Sequence, residues 1–168
     1  MTLLDKHTVL PKSVIGYTTR SHLLLDLDDT SFIKARRLAT LLQEEYPELG
    51  DVLIVESSPG YPGRNYWKVT NVGVVPYPAL PSYHLIFDND IGYARCCEII
   101  TTLANLDVID KEFIEIREFR GDMTLRVSER PERVRTIPKP KAVYFKRGGK
   151  SSYGIQGISR YLLLASAF

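Results

Sequence analysis

The chain has 168 residues, 44% hydrophobic and 25% charged, a size and balance that fit one globular domain with a sizeable core. Its two cysteines, adjacent at Cys96 and Cys97, exclude a disulfide framework and offer no zinc-ligand spacing. No run of 18 apolar residues and no signal-peptide pattern is present, so no membrane partner is expected and the simplest expectation is a cytoplasmic protein.

A net charge of +2 conceals an asymmetry. Met1 to Leu125 holds 12 Lys and Arg against 18 Asp and Glu, whereas Arg126 to Lys150 holds 9 against 2. A basic segment of about +7 points to an anionic partner, of which nucleic acid is the commonest, or to a solvated tail.

Residues 1–20 read as an irregular arm with room for one short strand. Ser21–Asp28 is an apolar strand, followed by capping residues Asp29-Thr30-Ser31 and a helix over Phe32–Tyr46 that Pro47 and Gly50 end. Asp51–Glu56 has the composition of a buried strand. Tyr61–Pro81 is too long for a structureless loop and reads as an extended hairpin around Tyr66–Thr70. Ser82–Asp88 is a strand, Ile91–Asn105 a second helix, Glu112–Phe119 a half-buried strand and Met123–Ser128 a further one. Ile155–Ala165 closes the chain as a short helix or strand.

The order is β-α-β-β-α-β with additions at both ends. This predicts an α+β fold with an RRM-like or ferredoxin-like core at about residues 21–128. It carries a long insertion between the second and third strands and a basic extension over 129–168, all within one domain. Both helices are expected on one face of an antiparallel sheet, with the other face free for a ligand or a second sheet.

The chemistry concentrates at Asp26-Leu27-Asp28, where the first strand ends. Side chains at i and i+2 share a strand face, so two carboxylates meet at a sheet edge, a seat for Mg²⁺ or Mn²⁺. In the expected layout the first and third strands are central neighbours, which brings Ser82 and His84 beside the aspartates. The carboxylates would hold a metal ion and His84 would neutralise charge on a triphosphate.

This combination of DxD, an ESSPG strand end and SxH on the next strand resembles the catalytic domain of the archaeo-eukaryotic primase (primase-polymerase) superfamily. The resemblance covers roughly Ser21 to Ser128. It implies a template-dependent nucleotidyltransferase that joins nucleotides by two-metal phosphoryl transfer in replication or repair. Asp26 and Asp28 match the metal ligands and Ser82-Tyr83-His84 the nucleotide-phosphate contact, with Arg126 placed beside them. A third acidic residue belongs after the second helix. Asp122 is the preferred candidate, with Asp107, Glu115 and Glu118 behind it. The implied partners are nucleoside triphosphates and a DNA or RNA template or primer, contacted by Arg130, Arg133, Arg135, Lys139 and Lys141. With no helicase or zinc segment here, any helicase or other replication subunit is a separate chain. The stretch from Ser57 to His84 is longer than the short hairpin of family members.

Two alternatives stand beside it. One is an RRM-like nucleic-acid-binding module without catalysis, although aspartates on a central strand would repel phosphate unless metal is present. The other is a haloacid-dehalogenase-like phosphatase, since Asp26 to Thr30 fits DxDxT, with Asp26 as nucleophile and Asp28 as acid and base. Against it, Arg126 stands where a second acid should follow Asp122, and five alternating βα units are missing. Blander roles also exist. The Asp29 region caps a helix, His22 is a satisfied core histidine, and Asp88-Asn89-Asp90 caps the second helix. Tyr66, Trp67 and Tyr77 either pack the hairpin or stack on bases.

Overall fold

The computed structural model describes residues 14–61, 67–76, 78–109, 123–131, 136–150 and 156–167. It is an α+β arrangement with mostly antiparallel strands.

A short strand β1 (Gly16–Thr19) leads into β2 (His22–Leu27) and α1 (Phe32–Glu45). Ser31 caps α1 by accepting a hydrogen bond from the Lys34 N–H at 3.2 Å, a contact of about 1 kcal/mol. Pro47 opens a 3₁₀ turn to Leu49, and Gly50, at φ +72°, redirects the chain into β3 (Val52–Ser58). Strands β4 (Trp67–Thr70) and β5 (Gly73–Pro76) form the expected hairpin, and β6 (Ser82–Asp90) follows. Helix α2 (Tyr93–Asn105) buries Cys96, Ile99, Ile100, Leu103 and Ala104. Beyond it lie β7 (Met123–Arg126), β8 (Arg130–Pro131), β9 (Thr136–Ile137), β10 (Lys141–Lys146) and α3 (Gly157–Ala167).

Among the described residues, four strands make the main sheet in the order β10-β3-β6-β2, each neighbour antiparallel. β6 therefore sits between β2 and β3. Its buried run of SYHLIFDN reflects that position, because a strand paired on both edges and covered on both faces sheds alternation. The strand expected at Glu112–Phe119 lies outside the described residues.

Neighbouring residues on a strand point to opposite faces, so Tyr83 and His84 mark the two sides of the sheet. Tyr83 meets Phe32 of α1, with ring centroids 6.0 Å apart, and Tyr144 of β10 meets the same ring at 5.9 Å. On the other side His84 meets Tyr161 of α3 edge-on at 6.4 Å, and Tyr161 in turn meets Tyr17 of β1 at 6.1 Å. β1 pairs antiparallel with β7 as a separate ribbon, tied by Thr18 to Thr124 at 2.8 Å.

This corrects the expectation of a free second face. α3 closes it around His84, because Ile158, Tyr161 and Leu164 supply a buried stripe at helical spacing. The basic extension is corrected too. Rather than a tail, its β10 segment completes the edge of the main sheet against β3. Gly148 follows it, packed so closely on Gly50 that a Cβ would collide with the Gly50 backbone. The DND motif is divided. Asp90 Oδ1 accepts from the Gly92 N–H at the start of α2, but the buried Asp88 accepts from the Ile158 N–H of α3 at 3.0 Å.

Candidate functional site

The register places Asp26 directly opposite His84 and Leu27 opposite Tyr83. The end of β2 thus lies beside the start of β6. The same strand order sets Val55 of β3 on the other side of His84. Two motifs far apart in sequence become one locus through strand pairing.

At that locus the His84 Nε2 is 3.7 Å from Asp26 Oδ1, and its Nδ1 is 3.4 Å from the Tyr161 hydroxyl. Burial, with the positive Arg126 nearby, pushes the His84 imidazole down to about 3. The ring is therefore neutral at pH 7 and can offer an N–H or a lone pair. It supplies no charge to a triphosphate, which modifies the role expected of it.

The Asp26 carboxyl moves the other way, up to about 7. Loss of surrounding water is the largest cause and the neighbouring Asp28 the second, while Arg126 and Arg130 oppose them. About 41% of the Asp26 side chain remains accessible, so the carboxyl lines a protein-walled cleft rather than lying sealed in the core. Asp28, just past the strand, is exposed. Neither carboxylate forms an ion pair with a Lys or Arg among the described residues. Two adjacent carboxylates held close, one of them reluctant to ionise, are a pair that a divalent cation would relieve.

A cleft of about 310 Å³ opens from the aspartates, lined also by Ser57, Ser58, Ser82, Arg126 and Arg130. Arg126, at the end of β7, donates from Nη1 to the Ser128 and Pro138 carbonyls and from Nη2 to the Ser57 carbonyl. Those bonds fix its guanidinium beside Asp26. Burial, then the like charge of Arg130, holds the Arg126 guanidinium below its ordinary range. Its first consequence is structural clamping of β3 to the β7–β9 region, and its charge still reaches Asp26. Ser82 is buried, and its Oγ accepts from the Asp29 N–H at 3.4 Å. Asp29, at φ +48°, accepts from the Leu80 N–H, which ties the turn after the aspartates to the approach of β6.

No family model, no curated protein and no solved structure matches this chain.

The other predicted residues divide by position. Arg130 joins the cleft, whereas Lys139 and Lys141 lie at the entry to β10 and do not line it. Asp107, exposed and at φ +55° after α2, lines neither of the two clefts that the aspartates border. Asp122, Glu115, Glu118, Arg133, Arg135, Tyr66 and Tyr77 lie outside the described residues. Among the described residues no three acidic, His or Cys side chains gather as a metal site. Trp67 is 45% exposed on its hairpin. His22 is buried with Nδ1 3.2 Å from the Thr19 hydroxyl, consistent with a core histidine. Tyr161 is the participant that the sequence did not reveal. Its signal was a tyrosine on the buried stripe of the last helix, which has meaning only once that helix is known to cover His84.

Proposed function

We propose that this protein is a primase-polymerase-type nucleotidyltransferase built on an RRM-like split βαβ core. The observation that carries it is the pairing of Asp26 with His84 across β2 and β6, with Asp26 and Asp28 lining a cleft that holds Arg126 and Arg130. The β2-β6-β3 order, with α1 between β2 and β3 in sequence, agrees with three of the strands of such a core. Asp26 and Asp28 would hold Mg²⁺ or Mn²⁺, with Asp122 proposed as the third acid. The bound ion would supply Lewis acidity and lower the pKa of an attacking hydroxyl.

The chain's own residues do the rest. Arg130 and the clamped Arg126 form a positive wall for the pyrophosphate portion of a nucleoside triphosphate. The neutral His84, buried beneath α3 and outside the cleft lining, positions Asp26 with its Nε2 3.7 Å from Oδ1, and the Ser82 and Ser58 side chains complete a polar lining. The rival readings lose support. An RRM-like binding module needs an open sheet face, yet α3 lies over His84. A phosphatase of the doubly wound type needs parallel neighbours, whereas neighbours in the main sheet are antiparallel.

The test is a titration of labelled nucleoside triphosphate against the protein with and without Mg²⁺ or Mn²⁺, followed by extension of a primed template. Saturable metal-dependent binding, lost in Asp26→Ala and Asp28→Ala, is the expected result. Metal-independent binding of single strands, unchanged in both variants, would refute the reading.

A further inference from the structure

Asp26 and Asp28 stand between two clefts that share no other lining residue. The second cleft, about 360 Å³, extends from the aspartates toward α1 and the end of α2, with Lys34, Leu38, Val108 and Ile109 on its walls. It offers one ammonium where the first offers two guanidiniums, and an apolar wall where the first has serines. The Lys34 ammonium has no hydrogen-bond or ion-pair partner among the described residues.

We infer that this second cleft receives the 3′ end of the acceptor strand, with Lys34 on its last backbone phosphate. The inference rests on the nucleotidyl-transfer reading above. In-line displacement sets the attacking and leaving oxygens on opposite sides of phosphorus. With pyrophosphate departing into the Arg126–Arg130 cleft, the attacking hydroxyl arrives across the aspartates, from the Lys34 side. The 3′ oxygen bonds to the α-phosphorus and its proton passes to water. The bond from the α-phosphorus to the bridging oxygen breaks, and pyrophosphate leaves with that electron pair. A single ammonium matches the single charge of a backbone phosphate, and Leu38, Val108 and Ile109 match the apolar faces of a terminal sugar and base. The reverse assignment would set a highly charged triphosphate against one cation and direct two guanidiniums at a single backbone phosphate.

The experiment compares the wild-type chain with Lys34→Gln and Arg130→Gln. Anisotropy measures equilibrium binding of a labelled primed template without nucleotide, and half-saturation by nucleoside triphosphate is measured separately with Mn²⁺. A primer ending in 4-thiothymidine is then photocrosslinked and the labelled peptide mapped. Lys34 is exposed on the first turn of α1, so unchanged circular dichroism is expected for that variant. Lys34→Gln should weaken strand binding about five- to tenfold and leave nucleotide half-saturation unchanged. Arg130→Gln should do the opposite, and the crosslink should fall within residues 27–38 or at Val108 and Ile109. Metal-dependent nucleotide binding by the wild type, with strand affinity indifferent to Lys34 or a crosslink at Ser57 or Ser58, would overturn this assignment and leave the enzyme reading standing. Wild-type protein that binds no nucleotide with metal would overturn both.

Discussion

Replacing Asp26 by Asn separates the site's chemistry from its cost to the fold. The Asp26 carboxyl is raised from 3.8 to about 7, so between those values the native state retains a proton that the unfolded chain releases. Its contribution to stability therefore falls as pH rises from about 4 to about 7, then stays constant. A shift of about three pKa units corresponds to roughly 4 kcal/mol without screening. The side chain keeps about 41% of its surface in contact with water, which reduces this to roughly 1–2 kcal/mol. Asn has the same shape without the charge. Asp26→Asn should thus match the wild type at pH 4 and exceed it by roughly 1–2 kcal/mol at pH 8, or about 3–6 °C in Tm for a chain of this size. Urea denaturation at both pH values measures the difference, and the opposing dependence of His84 largely cancels because both proteins contain it. Equal or lower stability of the variant at pH 8 would show that Asp26 is not a strained carboxylate and would remove the electrostatic case for a cation there.

Three further outcomes are expected. Mg²⁺ or Mn²⁺ at ten times its Kd should stabilise the wild type by about 1.4 kcal/mol at pH 8 and leave Asp26→Asn unaffected, as read by Tm against metal concentration. Tyr161→Phe keeps the ring contacts with Tyr17 and His84 but strips a hydroxyl that bonds His84 Nδ1 and the Arg126 carbonyl. It should cost about 1–2 kcal/mol and shift the ¹⁵N resonances of His84, which NMR would detect. Gly148→Ala should destabilise by about 1–3 kcal/mol, because the new methyl group meets backbone rather than a yielding side chain. Denaturant midpoints give the value, and a neutral result would show that the Gly50–Gly148 contact relaxes freely.

The local elements were readable from the chain because they rest on local causes. Three leucines ahead of Asp26, Ser31 before an amphipathic stretch, and Pro47 with Gly50 after it define β2 and α1 within one or two residues. Turn chemistry limited the reading elsewhere. The extra residues of β6 and β3 run into what had looked like loop, because ladder partners at their ends, His22 opposite Asp90 and Ser82 opposite Ser58, hold these polar residues extended despite their weak strand propensity. Asp88 looked like a helix cap, yet its partner is Ile158, seventy residues away.

The sequence alone determined that two carboxylates stand at i and i+2 where an apolar strand stops, and that a serine and a histidine begin a later one. Periodicity of two and the side-chain inventory suffice for that. The tertiary structure decided which side chains share the site. Strand register set Asp26 opposite His84, and the β1–β7 ribbon brought Arg126 beside them. Packing of α3 then enclosed the imidazole against Tyr161. These contacts join residues distant along the chain, and only the pairing of strands and the burial of the last helix bring them together.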